Sequence, residues 1–414
     1  MEASDPRGLI FIQPSAYADQ EHWHAVAAEL RRDAPVLKVE AADFAPFWAV
    51  TRHEDVFFVS RNNDRFLNTR KSMLIPEFAE QLLADAGVEA ATLVHMDGEE
   101  HRGHRDVTNA YFRPSAVSRR QMSIDRIADE YVDRFRDLGG SCDFAQDIAV
   151  PFTLRVIMSI FGVAQEDEPT MLKLTQGIFG AGDPEYVDEF SSPTELFVES
   201  LRDIDAFFDE ITADRRRTPA DALATVIANA EVSGCPMSHN ASLWYYIIVA
   251  TAGHDTTSFA LAGGLEALLR DQDQLAMLRA APGLRNNAVE EMIRWTSPVR
   301  AFLRYPTQDV TIGDVEVSAG DRLLLSYPSA NRDETVFDDA MRFSVSRPNA
   351  NRMIAFGGGE HFCLGSSFAR RELRTMLPKL LDAVDTFELD GDPQWSLANF
   401  VGGVKHLPVR ATFR

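Results

Sequence analysis

Apolar residues recur at three- and four-residue intervals along much of the chain, with charged residues on the intervening positions. This spacing puts the apolar side chains on one face and predicts amphipathic helices. Examples are residues 122–138, 194–212 and 221–230. A longer apolar stretch, residues 243–265, has His254 and Asp255 in its middle. Because a bilayer would penalise both side chains, this stretch predicts a buried core helix and not a membrane span.

A few short segments depart from helical spacing. Residues 36–40 and 47–50 are apolar and partly β-branched, and the turn-like residues 43–46 between them predict an N-terminal hairpin. Residues 309–317 alternate and turn through a Gly-Asp pair, and residues 322–325 form a further short strand. The sequence therefore predicts a mainly α fold with small β-sheets.

Length and charge limit the classes of protein to consider. The 414 residues contain no linker-like stretch and no repeat, so we predict one domain over residues 1–414. The formal net charge of -22 opposes phosphate backbones and anionic membrane surfaces, so we expect no nucleic acid or membrane partner. The first residues show no basic segment followed by an apolar run, which predicts a cytoplasmic protein, and we expect a monomer.

Three cysteines, Cys142, Cys235 and Cys363, lie far apart and form no CxxC pair, which argues against a disulfide framework or a structural zinc site. Cys363 ends a glycine-rich loop that can turn tightly and approach a flat ligand closely. Helical spacing returns over residues 365–381, whose first N–H groups would favour a thiolate, the ligand of oxygen-activating haem enzymes. Taken alone, one cysteine is more often an inert buried side chain.

The segment Ala252-Gly-His-Asp-Thr-Thr257 sets a carboxylate beside a hydroxyl within an apolar helix, where an unpaired charge is costly. The Thr256 hydroxyl can bond to a carbonyl one turn earlier and, with Gly253, loosen the helix. An acid and an alcohol suit proton delivery to dioxygen without admitting bulk water. The alternative is a glycine kink whose Asp255 only makes a salt bridge. His254 is expected to be an incidental residue on the far face.

Two further charged pairs have helical spacing. Glu291 and Arg294 lie three apart, which is commonly a weak surface contact. His101 and Arg105 lie four apart and present two cationic donors on one helical face, a common exposed arrangement.

Together these segments resemble the cytochrome P-450 family over essentially the whole chain. The cysteine loop matches the family's haem-binding signature at Phe356, Gly357, Gly359, His361, Cys363 and Gly365. The resemblance implies the P-450 fold, with haem b (iron protoporphyrin IX) between a long distal helix and a proximal cysteine-loop helix, and with Cys363 as the axial ligand of the haem iron. Residues 251–258, 325–334 and 399–403 are similar to the bacterial branch that includes the α-terpineol hydroxylase.

The resemblance also implies roles for the other segments. Thr256 would be the oxygen-stabilising alcohol and Asp255 its acidic neighbour. Arg347 would complete a buried structural cluster with Glu291 and Arg294. The cofactor would be bound, besides Cys363, by Phe356 and Gly357 of the loop and by four propionate-binding cations, His101, Arg105, Arg304 and His361.

A substrate pocket over the haem is expected to be mostly apolar, which suits a terpene, a terpenoid or an alkylaromatic compound and not a charged metabolite. Each lining residue could equally be ordinary core. The residues expected to line it are Val249, Ala252, Val299, Phe302, Phe400, Val401 and Phe179.

The sequence thus predicts an enzyme, a monooxygenase that hydroxylates a small hydrophobic compound with O2 and two electrons. The chain carries no flavin or nicotinamide fingerprint, so the electrons come from outside, and the resemblance implies a 2Fe–2S ferredoxin and its NAD(P)H-dependent reductase. A basic patch could orient that ferredoxin, although such clusters are commonly solvated faces. The candidate residues are Arg102, Arg113, Arg370, Arg371 and Arg374.

Two other functions stay open at this point. A peroxide-driven haem peroxygenase would need no ferredoxin, but it would normally replace the acid and alcohol of Asp255 and Thr256. A non-catalytic haem-thiolate sensor would bind the cofactor and show no response to hydrophobic ligands.

Overall fold

Helices dominate the part of the chain that the computed structural model describes, which comprises residues 5–68, 71–85, 87–179, 183, 185 and 193–414, without the side chains of residues 179 and 193–195. The α-helices, numbered in chain order from α1 to α15, are Gln20–Asp33, His53–Arg61, Glu77–Asp85, Gly98–Phe112, Pro114–Arg119, Gln121–Asp137, Val150–Phe161, Glu168–Phe179, Pro193–Arg217, Leu223–Ala228, His239–Arg270, Gln272–Ala280, Arg285–Thr296, Tyr327–Ala330 and Ser366–Ala383. The strands, numbered from β1 to β14, are Val36–Ala41, Phe44–Val50, Phe66–Leu67, Ser141–Asp143, Glu231–Val232, Cys235–Pro236, Ala301–Pro306, Val310–Ile312, Val315–Val317, Leu323–Ser326, Val384–Leu389, Gln394–Trp395, Val404–His406 and Pro408–Phe413.

The main sheet has five strands in the order β1-β2-β10-β7-β3. Strand β10 runs parallel to β2, with Leu324 opposite Ala49, and antiparallel to β7, with Leu324 opposite Leu303. A second sheet joins β11, β14 and β4, and the remaining strands pair as two-stranded hairpins. The sheets thus bring together segments that lie hundreds of residues apart, and they leave the centre of the molecule to helices.

Helix α11 runs through that helical core and is buried along most of its length. Its start is capped by Ser238, whose hydroxyl oxygen accepts a hydrogen bond from Ala241 N at 3.2 Å. It packs against α7 so closely that a Cβ at Gly253 would lie 2.8 Å from Ile157. Among the described residues, none of the helices combines the length and the apolar composition that a transmembrane span requires.

Most of the predicted elements are present with small shifts in their bounds. The N-terminal hairpin is β1 and β2, but residues 44–46 of the predicted turn already belong to β2. Residues 221–230 were expected to be helical throughout, and this was wrong at both ends, because α10 spans only Leu223–Ala228. The fold is mainly α with small β-sheets, as predicted.

The pair formed by Glu291 and Arg294 is not a surface contact. Both side chains are fully buried, and the two guanidinium nitrogens Nε and Nη2 donate to the two carboxylate oxygens at 2.7 and 2.8 Å. Arg347 Nε donates to the same carboxylate at 3.1 Å. The arginines also donate to backbone carbonyls, including Asn331 O and Arg342 O, each at 2.7 Å. These bonds fix the segment that leads into the cysteine loop.

Removing the one negative charge of this cluster should destabilise the fold strongly. In Glu291→Gln two buried guanidiniums would lose their counter-charge, so we expect the free energy of unfolding to fall by about 3–5 kcal/mol. Urea denaturation followed by circular dichroism measures the change. The exposed pair Asp133 and Arg136 provides the control, since Asp133→Asn should cost about 0–1 kcal/mol. Equal losses in the two variants would contradict a buried ionic cluster.

Candidate active site

A cavity of about 230 Å³ lies between α11, the loop that ends at Cys363 and the first turns of α15. Most of its wall is apolar. Polar groups enter the wall at separate places, on α4, α11, β7, the cysteine loop and α15. The predicted cofactor-binding and metal-binding residues that the structure places in this wall are His101, Arg105, Arg304, Phe356, Gly357, His361 and Cys363.

The cysteine loop reaches the cavity through a tight turn. Gly357 and Gly359 have φ values of +70° and +66°, in the left-handed region that glycine tolerates best. A Cβ at Gly359 would lie 2.5 Å from Ser60 O on α2, so the loop also needs glycine for close packing. Cys363 N donates to Phe356 O at 2.9 Å, which closes the loop directly before α15 begins at Ser366.

Two opposing effects act on the Cys363 thiol. Burial raises its pKa, while the N–H groups of Gly365 and Ser366 and the guanidiniums of Arg105 and Arg370 act to lower it. The start of the helix therefore favours the thiolate, as the sequence predicts, but burial outweighs it and the pKa stays above its ordinary value. A thiol in this position loses its proton once it coordinates a metal.

Thr256 lies in the cavity wall opposite the cysteine loop. Its hydroxyl donates to Ala252 O at 2.9 Å, the bond to the preceding turn that the sequence predicts. The helix is not broken there, because α11 stays helical from His239 to Arg270. The hydroxyl oxygen keeps its lone pairs for a further hydrogen bond.

Asp255 does not point the same way as Thr256. Its Oδ1 atom lies 3.1 Å from Nε2 of His254, and the His254 side chain is fully buried. His254 lies on the far face, as expected, but it is not an incidental residue, because it is the ionic partner of the acid. The predicted acid and alcohol are therefore adjacent in sequence and oriented apart.

The polar wall contains several buried groups without a hydrogen-bond partner in the described structure: both ring nitrogens of His101, Nε2 of His361 and Nε of Arg304. The His101 and His361 rings lie side by side, with centroids 4.2 Å apart. Burial, followed by the neighbouring His361 and Arg105, lowers the pKa of His101 to about 3. Unused donors that surround one end of an apolar cavity suit carboxylate acceptors. This set fits a haem with two propionates.

Arg105 contributes differently from His101, Arg304 and His361. Its Nη2 atom donates to Phe362 O at 2.7 Å, directly before Cys363 in the chain. It thus ties helix α4 to the cysteine loop and brings a positive charge toward the sulfur.

Several polar wall residues were missed by the sequence analysis, namely Asn68, Thr257, Tyr327 and Glu372. Glu372 is buried on α15 with Oε2 unpartnered, and burial raises its pKa well above the ordinary value. It lies four residues after Phe368 and four before Met376, so its place within an apolar stripe was a usable signal. Asn68 carried no such signal, because it follows a two-residue strand with no periodicity.

The predicted substrate-pocket residues fall into three groups. Val249, Ala252, Val299 and Phe302 lie in the cavity wall. Phe400 and Val401 lie behind it: the Phe400 ring is 5.3 Å from that of Phe302, and Val401 forms a β-bridge with Val299. The Phe179 side chain and residues 180–182 are outside the described residues.

Comparisons with known proteins identify relatives of this chain. Residues 283–404 match the family model described as cytochrome P450. Cytochrome P450-terp from a Pseudomonas species is 34% identical over 97% of this chain and 96% of its own length. Linalool 8-monooxygenase from Pseudomonas putida is 30% identical over 96% and 97%. The crystal structure of CYP108D1 from Novosphingobium aromaticivorans has 40% identity and a TM-score of 0.91, covering 99% of this chain and 98% of that one.

These likenesses extend over nearly the whole chain and include the cavity. The family and its fold bind haem b through a cysteine thiolate and use O2 and redox partners. The chain is accordingly an oxidoreductase, a monooxygenase. It belongs to the cytochrome P450 family.

Proposed function

We propose that this enzyme hydroxylates a small neutral hydrophobic compound, a terpene, a terpenoid or an alkylaromatic, with electrons from a 2Fe–2S ferredoxin and its NAD(P)H-dependent reductase. The observation that carries the proposal is the mostly apolar wall between Thr256 and Cys363. Named relatives support the substrate class: linalool is the substrate in the name of one, and CYP268A2 from Mycobacterium marinum was solved with pseudoionone.

We assign the cofactor-holding roles to the residues of the polar wall. Cys363 Sγ would bind the haem iron, and Phe356 and Gly357 would shape the loop that holds the cofactor. The propionates would be bound by the guanidiniums of Arg105 and Arg304 and by the ring N–H groups of His101 and His361, whose pKa values are lowered by burial. Haem bound in this way supplies the activation of dioxygen.

Substrate binding, exclusion of water and proton transfer would be carried out by the protein's own side chains. Val249, Ala252, Val299 and Phe302 would exclude water and hold the substrate by apolar burial. Thr256, whose hydroxyl proton is engaged by Ala252 O, would accept a hydrogen bond at its oxygen and so hold a water or a proton donor at the cavity wall. Asp255 would supply protons to that hydroxyl from the solvent side.

The ligand assignment predicts a spectroscopic loss. Cys363→His should bind haem but lose the strongly red-shifted Soret band of the ferrous carbonyl complex, because that band requires a sulfur ligand. Cys235 is exposed, so Cys235→Ser should keep the band and serves as the control. Survival of the band in Cys363→His would mean that another residue holds the iron.

The substrate class predicts a response to neutral ligands. A monoterpene alcohol or an alkylbenzene should shift the haem from low to high spin, whereas the matching carboxylate should not, since the wall offers it little compensation for desolvation. In Val249→Phe the larger side chain takes up space in the cavity, so the neutral ligand should bind more weakly by about 1–3 kcal/mol. The Soret band of the ferrous carbonyl complex should not change. If no neutral hydrophobic ligand shifts the spectrum, the non-catalytic haem-thiolate sensor becomes the better-supported function.

A basic surface beside the cysteine loop would suit an acidic ferredoxin. A groove lined by Gly357, Gly358 and Gly359 of the loop carries five arginines, Arg31, Arg32, Arg52, Arg61 and Arg352, and three carboxylates, Glu54, Asp333 and Glu334. Arg31 is buried and pairs with Glu334 at 2.6 Å. Phe57 and Phe362 at this groove are 37% and 40% exposed. Five guanidiniums against three carboxylates leave an excess of two positive charges in this lining, which on a chain of net charge -22 would help to orient an acidic partner.

The arginines proposed from sequence differ in their availability. Arg370 and Arg374 both bind Glu290, at 2.8 and 2.7 Å, so their charge is partly neutralised. Arg102 pairs with Glu360 at 3.3 Å, and Arg371 faces Ser118. Arg113 is exposed at the end of α4.

Charge reversal tests both candidate docking surfaces, the groove beside the cysteine loop and the arginines proposed from sequence. Arg113→Glu and Arg61→Glu should each lower ferredoxin-supported turnover by about tenfold at low salt, through a slower association. Turnover supported by peroxide should not change in either variant. Arg217→Glu, at an exposed site on α9, should leave both rates unchanged. If neither reversal at the cysteine-loop side has an effect, the partner docks elsewhere.

A further inference from the structure

The histidine of the oxygen-activating segment lies in an unusual environment. The His254 ring is fully buried between α11 and α8. Nδ1 lies 3.0 Å from Ala250 O, and Nε2 lies 3.1 Å from Asp255 Oδ1 and 3.3 Å from Thr175 Oγ1. Each ring nitrogen therefore has a specific oxygen neighbour.

The chemistry of these neighbours identifies the protonation state. A backbone carbonyl only accepts hydrogen bonds, so Nδ1 carries a proton. Thr175 has one hydroxyl proton, and its oxygen lies 3.0 and 3.1 Å from the carbonyls of Met171 and Leu172, which accept it. Nε2 thus faces the lone pairs of Thr175 and a carboxylate oxygen of Asp255. A ring that faces acceptors at both nitrogens is an imidazolium.

The electrostatics agree with this assignment. A fully buried charge is stable only with a partner, and Asp255 is the charged group within ion-pair distance among the described residues. Burial acts to lower the pKa of His254, but the Asp255 carboxylate and the Ala250 carbonyl outweigh burial, and the pKa is raised. Asp255 keeps 18% of its side chain exposed, so the acid still reaches solvent while the base does not.

We propose that His254 is a positioning residue for proton delivery: as a buried imidazolium it holds Asp255 as a carboxylate, turned toward α8 and away from Thr256. Asp255 then takes a proton from water at its exposed edge, passes one proton to the Thr256 side of α11 and returns to the carboxylate that His254 binds. The pair with His254 fixes both the direction and the ionised resting state of the acid. This inference rests on the proposed role of Asp255 and Thr256.

Three substitutions test the positioning role of His254 by measuring how many electrons end in product and how many in peroxide. His254→Leu removes the ionic partner, His254→Gln keeps one N–H donor, and Thr251→Val is the matched control, a buried hydroxyl on the same helix that bonds only to Ile247 O at 2.6 Å. In His254→Leu, product formed per reducing equivalent should fall by about tenfold, less than the loss expected on removing a positioned acid–base group itself, and peroxide release should rise. His254→Gln should recover part of the coupling, and Thr251→Val should match the parent.

The pH profile and a double-mutant cycle separate positioning from a packing defect. Loss of the imidazolium should make the pH profile of the coupling differ from that of the parent, since the charge that faces the Asp255 carboxylate is removed. In an Asp255→Asn background, His254→Leu should have almost no additional effect, since His254 acts through Asp255. Additive losses in the double variant would overturn the proposal.

A readout without turnover tests the same pair directly. In protein labelled with ¹⁵N-histidine, the His254 ring should keep both nitrogens protonated at about pH 8, well above the ordinary histidine pKa of about 6.5. His406, whose pKa is also raised by Asp143 and Glu185, is told apart because its signal stays in every variant. The His254 signal should be missing in His254→Leu and become neutral in Asp255→Asn. A neutral His254 ring in the parent at this pH would overturn the proposal. If the parent forms no hydroxylated product but the imidazolium is present, the proposed substrate fails and the ion pair stands.

Discussion

Burial opposes the negative charge that Cys363 would carry as a haem-binding thiolate, and much of the architecture around its sulfur offsets this cost. Backbone N–H groups at the start of α15 point toward the sulfur, and Arg105 and Arg370 add positive charge. Arg105 comes from α4, more than 250 residues earlier, and it reaches the loop through Phe362 O. The thiolate site is therefore a tertiary arrangement that neither the loop nor its helix could provide alone.

Several arginines are buried inside the fold, and their positive charges are therefore missing from the protein surface. Arg294, Arg300 and Arg332 are buried, and each guanidinium lies over an aromatic ring, that of Phe337, Tyr17 and Trp295 respectively. Planar, weakly hydrated guanidiniums tolerate such sites better than ammonium groups would. With these cations inside a chain of net charge -22, the surface is strongly acidic overall, and the arginines of the groove near the cysteine loop stand out against that acidic surface.

Sequence patterns predicted the elements and the individual donors better than their relations to one another. The cysteine loop and the Thr256 back-bond were accessible from spacing, whereas the Glu291–Arg294–Arg347 cluster was accessible only from the family resemblance, because spacing alone favours a surface pair. The pairing of His254 with Asp255 was not, because adjacent residues on a helix normally lie on different faces. The bridge between Val299 and Val401 was equally hidden, since no local pattern fixes the register of two segments about 100 residues apart. The single domain, the monomer and the cytoplasmic location stay predictions.

Helix α11 shows why the pairing of His254 with Asp255, which the sequence did not predict, matters for function. Val249, Ala252 and Thr256 follow the three- and four-residue spacing of one face, and that face forms the cavity wall. His254 lies two residues from Thr256, which is more than half a helical turn away, and so projects into the packing against α8. Asp255 lies between the two faces and keeps a solvent-accessible edge. One helix can therefore keep the substrate side dry while its acid stays in contact with water, because the acid is held on the other side by a buried cation.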